Sequence, residues 1–156
     1  MNKILKIFIL PLLAMLSFLI SPVKATEFIF ASKDKAIEIL TADDEYLTNM
    51  QAIEIALRVS SPTADKTIDD LKAHFTENVS EWSAAEIALI KALLVTHKKK
   101  LEKISHLLPD NIYFVKVTDK VEGGIPHTRA NAFISPDRIT SYSTSLFFHQ
   151  LFHILS

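Results

Sequence analysis

Residues 83–117 read SAAEIALIKALLVTHKKKLEKISHLLPDNIYFVKV, and they contain the two strongest structural signals in the chain. Ser83 and Glu86 have the spacing of a capping box, in which each side chain satisfies a backbone amide of the first helical turn. Proline disrupts the interior of a helix, so Pro109 marks an end. Between these limits the apolar residues recur at steps of three and four, with His97 at the one vacant step: Ile87, Ile90, Leu94, Leu101, Ile104 and Leu108. This period predicts one long helix.

The second signal is a strand that directly follows this proline. Side chains from Ile112 to Val117 alternate between two sides, with Tyr113, Val115 and Val117 on one and Ile112 and Phe114 on the other. A period of two is typical of a β-strand.

Further turns and elements are predicted downstream. Gly123 and Gly124 are the two glycines of the chain, and together they indicate a turn. The segment 130–135, closed by Pro136, predicts a second strand. Ser143 or Thr144 provides the cap for a last helix that begins at Ser145.

Upstream of residue 83 the patterns are mostly helical. Apolar steps of four, three and four predict a helix over Asp43–Val59, and a second, more polar helix is expected over Ile68–Val79. Two short runs of β-forming residues, Glu27–Ser32 and Ala36–Leu40, indicate a hairpin. The sequence therefore predicts an α+β fold: an N-terminal helical region, then a small β-sheet and a C-terminal helix.

The first 25 residues have the three parts of a secretion signal in order. Lys3 and Lys6 form a basic start, residues 7–20 are almost wholly apolar, and Val23 and Ala25 are the small residues read by an export peptidase. The alternative is a membrane anchor, but this run of 14 residues is shorter than the roughly 20 that span a bilayer. We expect cleavage after Ala25, export to the periplasm or beyond, and contact with a membrane only during export.

Composition excludes several classes of function for the remaining chain, residues 26–156, which is long enough for one domain. Three of the 17 basic residues lie in the signal, which leaves 14 basic against 18 acidic residues. This balance argues against nucleic-acid binding, and we interpret the run Lys98–Lys100 as a solvated face. The absence of cysteine excludes disulfides and thiol catalysis.

One pair of residues near the C-terminus indicates chemistry. His149 and His153 are four positions apart, so on a helix their side chains lie one above the other on the same face. This spacing allows both imidazoles to reach one zinc ion at about 2.0–2.1 Å.

The segment Asn131–Pro136 followed by His149–Ser156 resembles the active-site region of zincin-type metallopeptidases. More narrowly, it resembles exported bacterial proteins that carry His-Glu-Leu-Phe-His in this setting. The resemblance implies a zincin-like active-site helix with His149 and His153 as zinc ligands. It also implies that the strand near Ala130–Ser135 is an edge strand along which an extended peptide binds.

Two departures from this pattern predict an inactive protein. Gln150 occupies the position of the catalytic glutamate, and an amide cannot accept the proton of a zinc-bound water. The chain also ends at Ser156, before the third ligand that zincins take from downstream. We therefore expect an incomplete domain with weak or vestigial zinc binding and no peptidase activity. His127 and Asp137 remain alternative third ligands.

Two other functions stay open. In one, the protein is a non-enzymatic exported helical protein, and the histidine pair packs in its core. In the other, it is a pseudo-enzyme that binds peptides along its edge strand without cutting them.

Overall fold

The computed structural model describes residues 25–156, and the predicted signal segment lies outside them except for Ala25. The described chain has an α+β fold with six α-helices and four strands, and two short 3-10 turns span Ser105–Leu107 and Val121–Gly124. The helices are α1 (Lys33–Thr41), α2 (Glu45–Thr48), α3 (Ala52–Arg58), α4 (Ile68–Glu77), α5 (Ala84–Ile104) and α6 (Thr144–Leu155). The strands are β1 (Glu27–Phe30), β2 (Asn111–Val117), β3 (His127–Arg129) and β4 (Ala132–Pro136). None of the described helices has both the length and the hydrophobicity of a membrane-spanning segment.

The four strands form one mixed sheet in the order β1-β2-β4-β3. β1 and β4 both run parallel to β2, whereas β3 pairs with β4 in the antiparallel direction. β3 and β4 are joined by two residues, and the first of them, Ala130, has a φ of 48°. A positive φ is typical of the tight turns that connect such neighbours.

Helices cover both faces of the sheet, and each face has its own apolar core. Alternate residues of β2 serve the two cores, as the predicted period requires: Val115 and Val117 face the first, while Ile112 and Phe114 face the second. The first core packs under helices α1 to α4. Helices α5 and α6 contribute to the second, which contains Ile90, Leu101, Phe133, Tyr142, Phe147 and Leu151.

The predicted long helix is confirmed as α5 with its capping box. The Ser83 side chain accepts a hydrogen bond from the Glu86 amide at 3.3 Å, and the Glu86 carboxylate accepts one from the Ser83 amide at 2.9 Å. Lys116, a buried residue of β2, forms an ion pair with the same carboxylate at 2.5 Å and thereby attaches α5 to the sheet. Burial alone would raise the pKa of Glu86, but hydrogen bonds from Lys116 and Ser83 outweigh it and hold the pKa below its usual value.

The predicted N-terminal hairpin is wrong. Glu27–Phe30 is a strand, but it pairs with β2, and the second run lies within helix α1. Ser32 caps this helix by accepting a hydrogen bond from the Lys35 amide, and Ala36 and Leu40 are buried at helical spacing. Local β propensity was outweighed by a cap and by tertiary packing.

The single helix predicted over Asp43–Val59 is two short helices, α2 and α3. Asp44 caps the first and Gln51 begins the second, so the chain leaves the helical conformation between them. Only part of the predicted apolar face is buried: Tyr46 and Met50 pack against the first core, whereas Ile53 and Leu57 are exposed, and α3 buries Ile55 instead.

The strand predicted over residues 130–135 exists as β4, but it is not an edge strand. All five of its residues are buried, and it lies between β2 and β3. The edges of the sheet are β1 and the three-residue strand β3. The edge position was therefore wrongly predicted, since the short polar sequence of β3 gives no strand signal of its own.

Candidate functional site

The two sequence-predicted zinc ligands lie on helix α6, which begins where Ser143 accepts a hydrogen bond from the Leu146 amide at 3.1 Å. One face of the helix, with Phe147, Gln150 and Leu151, is buried against the sheet. The opposite face presents both histidines to solvent. The helix is thus buried on one side only, although its sequence is apolar almost all round.

The two imidazoles are in contact through a hydrogen bond between their Nε2 atoms. The Nε2 atoms of His149 and His153 are 3.2 Å apart, and the ring centroids are 4.6 Å apart. Two nitrogens bound to one tetrahedral zinc at 2.0–2.1 Å are separated by about 3.3 Å. The observed spacing therefore fits a shared zinc ion without a change of helix geometry.

Within residues 25–156, no group of three or more histidine, cysteine, aspartate or glutamate side chains is placed to hold a metal ion. His127 pairs with Ile134, whose side chain belongs to the first core, whereas α6 packs on the second. Directly opposed strand residues share a face of the sheet, so His127 lies across the sheet from the histidine pair. Asp137 instead accepts a hydrogen bond from Ser80 at 3.2 Å. Neither alternative third ligand is brought to the pair.

Gln150 is directed into the protein interior. Only 3% of the residue is exposed, and its Nε2 donates to the Pro126 carbonyl at 3.3 Å. Its Oε1 atom is buried and has no hydrogen-bond partner among the described residues. The amide thus links α6 to the segment before β3, a role that the sequence motif does not reveal.

A second polar cluster, which the sequence analysis missed, lies on the other face of the sheet. Tyr46 and Arg58 both donate to Oε1 of Glu122, the arginine at 3.0 Å. Burial is the main cause that raises the pKa of Tyr46 to about 12, with the Glu122 hydrogen bond next. His127 lies beside this cluster, in a cavity that the three side chains also line. The cluster joins α2 and α3 to the turn before β3.

The glycine pair was the one available signal for this cluster. Glu122 and Gly123 have φ values of 49° and 62°, in the left-handed region that favours glycine. Glu122 adopts this conformation while its carboxylate is held by two donors. The two glycines predict a bend in the chain, but they do not predict that a distant tyrosine and arginine bind the glutamate of this turn.

The chain matches no family model, and no curated protein or solved structure is significantly similar to it. Fold alone does not determine function. A functional assignment therefore rests on the geometry of the histidine pair.

Proposed function

We propose that this is an exported, zinc-metallopeptidase-like protein that binds zinc through His149 and His153 and does not hydrolyse peptides. The observation that carries the proposal is the 3.2 Å separation of the two Nε2 atoms, which matches two corners of a zinc tetrahedron. Both side chains are exposed, so an ion reaches them without unfolding the helix.

Two imidazoles hold zinc weakly, because structural zinc sites use four protein ligands. Binding weakens further as the pH falls, since protons compete for the same nitrogens. Bound zinc would act as a Lewis acid toward whatever occupies its other coordination positions. The protein itself holds the two imidazoles on one face of helix α6.

The absence of hydrolysis follows from Gln150. A general base must accept a proton and reach the reacting water. The Gln150 amide cannot accept that proton, and its side chain is buried against the Pro126 carbonyl. Helix α6 would therefore bind a metal ion without supplying a catalytic base.

A zinc titration by calorimetry tests the proposal on protein purified from the exported fraction. We expect binding by the wild type and a loss of at least about tenfold in affinity in His149→Ala and in His153→Ala, because a single imidazole is a poor site. His106→Ala is the matched control, since His106 is an exposed histidine on a different helical turn. Unchanged zinc binding in His149→Ala would show that the pair is only a hydrogen-bonded contact on the helix surface.

A further inference from the structure

The histidine pair on helix α6 fills only half of the coordination shell of a zinc ion. Structural zinc sites have four protein ligands, and His149 and His153 supply two. Within residues 25–156, no third metal-ligating side chain is grouped with them. His127 lies across the sheet, and Asp137 accepts a hydrogen bond from Ser80. One copy of the chain therefore leaves two coordination positions of a bound zinc ion open.

The pair lies on a surface that another protein molecule can approach. His149, Phe152 and His153 are exposed, and their spacings of three and four place them on one face of α6. The Phe152 ring lies beside the His153 ring, with 5.9 Å between the centroids. The two imidazoles hydrogen-bond to each other and to no other side chain of residues 25–156. Their nitrogens are therefore available to a metal ion that a partner also contacts.

A second copy of the same chain carries the two ligands that are missing. When two identical chains associate about a twofold axis, the same patch of each chain forms the interface. A zinc ion on this axis would receive His149 and His153 from each copy, which completes a set of four ligands. The Nε2 atoms of each pair are already 3.2 Å apart, close to the separation in a tetrahedral zinc site, so neither helix has to change its conformation.

We infer that zinc joins two copies of this protein, with His149 and His153 of both copies as its four ligands. The inference rests on the proposed zinc binding by the pair, and it identifies the occupant of the open coordination positions. Four imidazoles leave no position for a water molecule. The shared ion is therefore structural and does not activate water for hydrolysis.

The apolar surface around the pair is too small to hold two copies together without the metal. Helix α6 exposes two large apolar side chains, Phe152 at 64% and Leu155 at 38%. A whole aromatic side chain buries about 150–250 Å², whereas a standard interface covers about 800 Å² on each partner. Phe152 and Leu155 therefore support the contact, and the zinc ion determines whether the dimer forms.

Sedimentation velocity with and without zinc tests the inference on protein from the exported fraction, beside a calorimetric titration with zinc chloride. We expect a monomer without metal, a dimer with one zinc ion per two chains, and a monomer again after addition of EDTA. A monomer that binds one zinc ion per chain would overturn the shared site, while the proposed zinc binding by the pair would stand. Absence of zinc binding would refute both, and a dimer that persists in EDTA would refute the role of zinc.

Replacement of one histidine tests whether the pair bridges the two copies. His153→Ala should lose the zinc-dependent dimer, because each copy then supplies a single ligand. His106→Ala is the control and should dimerise like the wild type, since His106 is an exposed histidine outside α6. Zinc-dependent dimerisation of His153→Ala would show that other ligands join the copies.

Phe152→Arg tests the placement of the interface on α6. The twofold axis would bring the two arginines close together, and like charges that face each other across an interface are unfavourable, so we expect the protein concentration for half dimerisation in zinc to rise at least about tenfold. Ile53→Arg is the matched control and should cause no shift, since Ile53 is 58% exposed on α3, which covers the first core on the other face of the sheet. Thermal melts that match the wild type would show that both variants fold. Equal shifts in the two variants would overturn the placement of the interface.

Discussion

At the scale of single residues, Gln150 carries the sharpest contrast between motif and structure. In the zincin pattern that we proposed, its position would be that of the catalytic base, while its amide nitrogen donates a hydrogen bond to the Pro126 carbonyl inside the protein. A carboxylate there would meet a carbonyl oxygen in a buried place, and an unpaired buried charge is costly. The neutral amide is therefore suited to this environment in its own right.

We expect Gln150→Glu to lower the free energy of unfolding by about 1–3 kcal/mol at neutral pH without creating peptidase activity. The loss should shrink as the pH falls, because protonation removes the charge and restores a donor to the Pro126 carbonyl. Denaturant melts at pH 5 and pH 8, beside a general peptidase assay, measure both effects. Gln150→Met serves as the control, whose smaller loss should not depend on pH. Hydrolysis by Gln150→Glu would contradict this account of the site.

His127 gives the protein a second pH dependence at the scale of one side chain. Burial is the largest cause that lowers the pKa of His127 below 6.5, although the hydrogen bond to the Ile125 carbonyl and the charge of Glu122 act in the opposite direction. The unfolded chain therefore binds a proton at this histidine at higher pH than the folded chain does. The stability that depends on neutral His127 is thus fully present above pH 6.5, and it is lost as the pH falls through the pKa of His127 in the folded protein.

His127→Gln should reduce this acid-side loss of stability between pH 7.5 and pH 5, because the variant has no proton to bind. Melting temperatures of wild type and variant across this range give the difference directly, and His106→Gln is the control for an exposed histidine. If the wild type and His127→Gln lost stability in parallel, burial of the imidazole would not be the cause.

At the scale of elements, Arg129 links β3 to α1 and α2, two of the four helices that cover the first core. The residue is 5% exposed, and its guanidinium forms a bidentate pair with Asp44, the cap of α2, at 2.8 and 2.9 Å. It also donates to the carbonyls of Leu40 and Ala42 at the end of α1. One side chain thus donates to free carbonyls at the end of α1 and also pairs with the residue that caps α2.

Arg129→Lys should cost at least about 2 kcal/mol of unfolding free energy, because one ammonium cannot reproduce the planar set of four hydrogen bonds. Arg138→Lys is the matched control, since the Arg138 side chain is 49% exposed and its ion pair with Asp119 spans 3.5 Å. Urea melts of both variants provide the comparison. Equal stability of the two variants would show that the guanidinium geometry is unimportant.

Elements with complete local signals were predicted from the sequence, and elements defined by distant partners were not. Helix α5 has its cap and its apolar period, so its start follows from Ser83, but it ends at Ile104, and a 3-10 turn over Ser105–Leu107 replaces the last turn predicted before Pro109. The run Glu27–Ser32 was predicted as a strand but with the wrong partner, since β1 pairs with a segment about 80 positions away, and β3, which was not predicted, is defined only by its pairing with β4. The polar cluster of Tyr46, Arg58 and Glu122 was missed for the same physical reason, because its members come from separate parts of the chain.

At the scale of the whole molecule, one sheet separates two cores, and the histidine pair and the polar cluster lie on opposite faces. The sequence identified the two histidines because a helical spacing of four is a local property. It did not show that Gln150 points inward or that His127 lies across the sheet, since both depend on how α6 packs.

Export is a prediction that concerns the whole chain, and we expect the mature protein to begin at Thr26. Residues 1–25 carry a basic start, an apolar run and small residues at the cleavage site. N-terminal sequencing of protein from the periplasm and the medium identifies the first residue of the mature chain. Recovery of the chain with Met1 in the soluble cytoplasmic fraction would be inconsistent with export.

The central claim, that His149 and His153 together bind one zinc ion, is tested most directly by zinc-edge anomalous diffraction from crystals grown with zinc. We predict one anomalous peak at about 2.0–2.1 Å from the Nε2 atoms of both histidines, and its disappearance in crystals of His153→Ala. An anomalous map without a peak at the pair, with the two imidazoles still hydrogen-bonded to each other, would contradict the account.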